Sequence, residues 1–126
     1  MLTKSGKWWI REDEQDLGII KFTQDHTEST FELHGRIIPR IVERFLGDTP
    51  KRTALDIGSC YGMIAVPLSH YFNTVYSFEP NPRVWDAFIK NTHSHNNIYL
   101  NRVGISSENK EINFQSLKFS GCSHIS

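Results

Sequence analysis

From Thr53 onward the chain alternates two kinds of segment, and this alternation restricts its fold more than any other feature. Thr53-Ala54-Leu55-Asp56-Ile57 is short, mainly apolar and ends at Gly58, the texture of a strand in a buried parallel sheet. Met63 to Phe72 reads as a helix that Pro67 distorts unless the helix begins late. Thr74-Val75-Tyr76-Ser77-Phe78 is a second strand. Asn81 then caps a helix that opens on Pro82, where the missing N–H has no partner to lose. Val84, Trp85, Phe88 and Ile89 are its expected buried stripe. Asn96-Asn97 turns the chain into a third strand that begins Ile98-Tyr99-Leu100. Strands that alternate with helices pair in parallel through right-handed crossovers. The expectation is an α/β fold with its strands in the spatial order third, second, first. Residues 106 to 110 read as a solvated turn, and Glu111 to Leu117 as a returning strand.

Before Thr53 the pattern differs. Lys7 to Phe22 places Trp8, Trp9, Ile10, Ile19, Ile20 and Phe22 around a polar centre, Arg11 to Asp16, which predicts two short strands about a charged turn. Thr23 to Ser29 reads as a loop. Phe31, Ile37, Ile38, Ile41, Val42, Phe45 and Leu46 recur at helical spacing, with Ser29 or Thr30 as the cap and Gly47 as the stop. Pro39 is expected to kink or split that helix. Residues 1–52 are therefore a hairpin and lead-in helix, and residues 53–126 the sheet, together one domain of 126 residues.

Fourteen Lys and Arg balance fourteen Asp and Glu, so no basic field exists to attract nucleic acid or an anionic membrane. No apolar run approaches the ~20 residues of a membrane-spanning helix, nor does the N-terminus resemble a signal peptide. Cys60 and Cys122 lack a metal-ligand pattern and read as free thiols. A cytoplasmic protein without bound metal is expected.

The chemistry concentrates at the first strand-to-helix passage, Asp56-Ile57-Gly58-Ser59-Cys60-Tyr61-Gly62, where open α/β sheets bind ligands. Gly58 permits a tight turn and close approach of a ligand. Gly62 lets the helix start lie close to the strand, and the loop N–H groups of Ser59, Cys60 and Tyr61 are candidates to receive a carboxylate. Dinucleotide sites favour Gly-x-Gly-x-x-Gly, whereas this loop is Gly-x-x-x-Gly, with Cys60 where the middle glycine would sit. The acid at Asp56 repels a pyrophosphate and suits a ligand bearing an ammonium and a sulfonium, as S-adenosylmethionine does. An NAD(P)-binding oxidoreductase domain is disfavoured on the same grounds. Glu79 follows Asp56 by 23 positions and ends the second strand, where an acid accepts hydrogen bonds from ribose hydroxyls. Pro80 and Asn81 beside it, with Arg102 and Val103 at the end of the third strand, are candidates to face an adenine.

Leu55 to Gly62, then Phe78-Glu79-Pro80-Asn81-Pro82, Asn91, and Asn101-Arg102-Val103-Gly104-Ile105-Ser106 followed by Gly121-Cys122-Ser123 resemble the FkbM-type methyltransferases, a class I family with a Rossmann-like sheet. The resemblance covers roughly residues 53 to 123 and departs at Ser59-Cys60, where the family usually has Ala-Asn. It implies O-methyl transfer from S-adenosylmethionine to a sugar or small hydroxylated acceptor, leaving S-adenosylhomocysteine. Asp56, Gly58, Gly62 and Glu79 would be cofactor residues. The family continues with a strand of the type Lys-Ile-Asp-Val-Glu-Gly, and this sequence ends at Ser126 without one. The sheet is then expected to be incomplete and open beside its first strand. Instability, a homodimer, a partner chain across that edge, or a non-catalytic cofactor-binding or interaction module are the corresponding expectations. No catalytic base is assigned; His26, His34 and Glu32 lie where such enzymes often build a cofactor lid. His93, His95 and His124 read as solvated, Cys60 as a packing residue, and one of Trp8 and Trp9 as core rather than a sugar platform.

Overall fold

The structure, a computed structural model, describes residues 1–24, 28–115 and 124–125, without the side chains of Phe22, residues 28–36 and residues 124–125. It is α/β, with a three-stranded parallel sheet flanked by helices, an architecture compatible with a Rossmann-like fold. The sheet comprises β3 (Thr53–Ile57), β4 (Thr74–Phe78) and β5 (Ile98–Asn101), with β4 central. In register, Leu55 sits beside Tyr76 and Tyr76 beside Tyr99, while Asp56 sits beside Ser77. This is the expected third–second–first order. The inward row of Ala54 and Val75 meets Ala65 and Phe88 from the crossover helices α3 (Ala65–Ser69) and α4 (Trp85–Thr92).

Two helices differ in extent from the sequence expectation. α3 is one short turn and a half, so Pro67 falls near its start, where a missing N–H does little harm. Asn81 does cap, its side chain accepting from the Arg83 N–H at 3.1 Å, but the helix begins as a 3-10 turn, Pro82–Val84, before α4. Val84 and Phe88 are buried as expected; Ala87 takes the buried place expected of Ile89, which faces solvent.

The N-terminal region is rearranged more. β1 (Leu2–Ser5) and β2 (Trp8–Arg11) form a hairpin about Gly6-Lys7, ahead of the charged segment rather than around it. Asp16 then starts a helix, α1 (Leu17–Gln24): its carboxylate accepts from the N–H groups of Gly18 (2.9 Å) and Ile19 (3.3 Å). Ile19 and Ile20 are thus helical, not on a second strand. α2 (Glu28–Leu46) begins before Ser29 and Thr30, so neither is its cap, and it runs unbroken through Pro39. Ile38 and Val42 are buried on opposite sides of that proline, and their packing outweighs the one lost backbone hydrogen bond. Ile37, Ile41 and Phe45 from the same expected stripe are exposed. Gly47 ends the helix, its N–H meeting the carbonyls of Val42 and Glu43. The returning strand is β6 (Phe114–Gln115), paired antiparallel with β7 (His124–Ile125).

The hairpin packs on α4. Trp8, Ile10, Tyr61, Val84 and Ala87 form one buried cluster, so Trp8 is the core tryptophan. Trp9 is partly exposed between Lys90 (4.2 Å) and Lys4 (5.7 Å). Among the described residues no helix is long and apolar enough to cross a membrane.

Candidate functional site

The carboxyl ends of β3 and β4 bring Asp56, Gly58 and Glu79 together. Asp56 is the fourth residue of β3 and points into the sheet's covered face, buried beside Ser77. Its carboxylate meets the Ser77 hydroxyl at 3.4 Å and is also favoured by the Ser59 hydroxyl, which donates to the Asp56 carbonyl at 2.8 Å; desolvation outweighs both. Burial therefore pushes the Asp56 carboxyl above its ordinary range.

Gly58 has φ +82°, and a Cβ added there would meet no atom within 4 Å. The loop thus presents open space over the Gly58 backbone. Gly62 has φ +87°, but there an added Cβ would lie 3.0 Å from Thr92 Cγ2 and 3.3 Å from Phe88 Cδ2. The close approach that Gly62 permits is to α4, not to the strand.

The loop amides are already engaged. Gly58 and Ser59 donate to the Phe78 carbonyl at 2.9 and 3.2 Å, Gly62 donates to the Ser59 carbonyl at 2.8 Å, and Cys60 donates to Glu79 Oε2 at 2.7 Å. Of the three N–H groups expected to receive a ligand carboxylate, those of Ser59 and Cys60 are engaged within the protein. Within this loop Cys60 adopts a left-handed φ of +48° while its N–H meets Glu79. The half-buried Cys60 thiol is free and is pushed up to about 12 by desolvation, with the charges of Glu79 and Glu14 adding to the effect. It is no nucleophile at neutral pH.

Glu79 follows β4 and is buried. Its second oxygen accepts the Asn81 N–H at 2.8 Å, and its own carbonyl accepts the Trp85 indole N–H at 2.7 Å. Two N–H bonds favour the carboxylate, yet desolvation wins and raises the Glu79 carboxyl, with nearby Asp56 contributing in the same direction. Each oxygen has taken one N–H, so a second hydrogen can still be accepted by each. Beyond Glu79, Pro80, Arg102, Val103, Gly104, Ile105 and Ile112 line part of an open cavity of 470 Å³. Arg102 lies over the Trp85 ring at 5.0 Å, which braces that wall.

Two candidates serve the site from behind. The Tyr61 side chain is fully buried, and its hydroxyl donates to Glu14 Oε2 at 2.5 Å. The Asn81 side chain is occupied by its cap, so Asn81 supports Glu79 through its N–H. Glu14 and the ties of Asn91 were not apparent in the sequence. Asn91 accepts from the Trp9 N–H at 2.7 Å and donates to the carbonyls of Trp9 and Tyr61, each at 2.8 Å. Asn91 was recognisable only as the end of a helix, and Glu14 lay in an unremarkable acidic run.

His95 meets the Ser69 hydroxyl at 3.1 Å and the edge of His70 at 5.5 Å between ring centroids; burial, then His70 and His93, lower its pKa. No three His, Cys, Asp or Glu side chains among the described residues converge as metal ligands. His26, Gly121, Cys122 and Ser123, and the side chains of Glu32, His34 and His124, lie outside the described residues. The chain matches no family model and no curated protein.

Proposed function

We propose that this chain binds S-adenosylmethionine in a class I, Rossmann-like cofactor site, as part of an FkbM-type O-methyltransferase acting on a sugar or small hydroxylated acceptor. The observation that carries the reading is the pairing of open space over Gly58 with two buried, under-compensated carboxyls, Asp56 and Glu79. Carboxylates in that state bind a cation favourably and repel phosphate. The sulfonium and ammonium of S-adenosylmethionine meet that requirement, while a dinucleotide pyrophosphate does not.

The parts then divide the ligand between them. Glu79 accepts from the ribose hydroxyls through the lone pairs its two N–H partners leave free. Pro80 and Val103 bound the cavity that takes the adenine. Asp56 and the open backbone at Gly58 face the methionine end. The cofactor supplies the reactive methyl group, and the chain's task is to hold it aligned. The free Cys60 thiol suits a reducing, cytoplasmic setting.

Calorimetric titration of the purified chain with S-adenosylmethionine, S-adenosylhomocysteine and NAD tests this. Binding of the first two, no binding of NAD, and loss of at least about tenfold in affinity in Asp56→Asn and Glu79→Gln are expected, consistent with one charge-assisted hydrogen bond removed in each. A folded chain that binds none of the three overturns the reading and leaves the fold as an interaction module.

A further inference from the structure

The ligand loop is held from outside the sheet. Cys60 is the one non-glycine residue in a left-handed conformation among the described residues. An L side chain there is strained by roughly 1–2 kcal/mol, so its neighbours must impose it. On the preceding side, the Ser59 hydroxyl is tied to the Asp56 carbonyl. On the following side, Tyr61 is fixed at three points. Its ring is buried among Trp8, Ile10, Val84 and Ala87; its hydroxyl donates to Glu14; its carbonyl accepts from Asn91.

Glu14 is itself held. Its other oxygen accepts the N–H groups of Gln15 (3.1 Å) and Asp16 (2.9 Å), immediately before Asp16 starts α1. Asn91 joins β2 to the loop by bonding Trp9 and Tyr61 with the same amide. Arg83 pairs with Asp13, which also holds Arg11, and so ties the 3-10 turn after Glu79 to the same N-terminal segment. The Glu14–Tyr61, Asn91–Tyr61 and Asp13–Arg83 ties reach the stretch from Cys60 to Arg83 that carries Glu79.

We infer that Glu14 and Asn91 are positioning residues for Glu79: by fixing Tyr61 they hold Cys60 left-handed, and the Cys60 N–H in turn fixes the carboxylate that receives the ribose. The hairpin and its acidic tail are thus part of the ligand site although no side chain of theirs touches ligand. The inference rests on the cofactor reading for its ligand, but not for its geometry.

The test separates positioning from ordinary stability. If the anchor exists to impose a left-handed residue 60, a glycine there makes the anchor unnecessary, because glycine adopts that φ without strain. Hydrogen exchange at the residue 60 amide is measured without ligand, corrected for intrinsic rate, and affinity for S-adenosylhomocysteine is measured alongside. Glu14→Ala and Tyr61→Phe are expected to speed exchange and weaken affinity about tenfold each, since both remove the Tyr61–Glu14 hydrogen bond; Glu14→Ala also removes the acceptor of the Gln15 and Asp16 N–H groups, and Tyr61→Phe the acceptor of the Arg11 N–H. Glu14→Gln, which keeps one acceptor oxygen where the parent uses two, is expected to lie between the parent and Glu14→Ala. Cys60→Gly added to Tyr61→Phe is expected to restore both readouts to within about threefold. Exchange at the Val75 amide in the central strand is the stability control: a general change in stability moves it together with residue 60, whereas positioning moves residue 60 alone. Unchanged exchange in Tyr61→Phe, or no restoration by Cys60→Gly, overturns the inference. Altered exchange with unaltered affinity overturns its link to the ligand. If the parent chain binds no S-adenosylhomocysteine, the cofactor reading fails, and exchange at residue 60 still decides the positioning.

Discussion

Asp56 and Glu79 were legible as residues, but their condition was not. Spacing marked both as strand-end acids; only the folded environment reveals that each is buried with incomplete compensation and has a raised pKa. That condition has a sign. A carboxyl whose folded pKa exceeds its unfolded value binds more protons when folded, so its contribution to stability declines as pH rises. For these two groups the decline begins near the ordinary values of 3.8 and 4.5 and is complete above the raised ones. Asp13 behaves oppositely: the Arg11 hydrogen bond holds it down to about 2, so its stabilisation is present above 3.8 and is lost toward that value. Ligand binding should reverse the first effect, because a cation selects the ionised acids. S-adenosylmethionine affinity is therefore expected to rise as pH increases above the ordinary carboxyl values of 3.8 and 4.5, with protons released on binding. Titration in buffers of different ionisation enthalpy measures that release, and Asp56→Asn should reduce it. Affinity that is flat or falls with pH would show that the acids are already ionised without ligand.

At the scale of elements, the sheet was readable because its strands and crossovers each carry their own local signal, such as the run Thr53–Ile57 or the Asn81 cap. The N-terminal region was not, since its decisive features act across distance. Ile19 and Ile20 fit either a strand or a helix by apolarity; Asp16 accepting from Gly18 and Ile19 decides the matter. Pro39 predicted a break that the packing of Ile38 and Val42 overrides. The loop between β3 and α3 was recognised by its two glycines, but both seemed to serve the ligand. The contacts assign them different work, and substitution should separate it. Gly62→Ala must place a methyl against Thr92 and Phe88 at an unfavourable φ, and about 2–4 kcal/mol of destabilisation is expected from strain and overpacking together. Gly58→Ala meets open space and loses only about 1–2 kcal/mol from its φ, yet its methyl projects into the space assigned to the proposed ligand. Chemical denaturation and S-adenosylhomocysteine titration on both variants check this: Gly58→Ala should bind worse than its stability explains. Equal stability losses with binding retained in Gly58→Ala would contradict the division.

For the whole molecule, handedness leaves one face of the sheet without a crossover helix among the described residues. The crossovers from β3 to β4 and from β4 to β5 advance in the same direction, and right-handed crossovers then put α3 and α4 on the same side. The opposite side carries Leu55 and Ile57, 60% and 62% exposed, with Tyr76 and Tyr99 continuing the Leu55 row across the strands. Among the described residues the outer edge of β3 is also unpaired. Parallel sheets are ordinarily covered on both faces, and a contiguous apolar patch of this kind binds apolar surfaces. The folded chain is therefore expected to enhance the fluorescence of an anilinonaphthalene sulfonate dye while still melting cooperatively. Leu55→Thr with Ile57→Thr keeps residues that suit a strand but removes most of the apolar area beside the edge. That pair should lower the signal by about half or more with little change in melting temperature, because exposed side chains contribute little to the core. The cavity beside Pro80 is a second apolar place for dye, and saturating S-adenosylhomocysteine distinguishes the two: ligand displaces dye from the cavity and leaves the sheet face unaffected. A signal that survives the double substitution but disappears with ligand would place the accessible apolar surface in the cavity, not on the sheet.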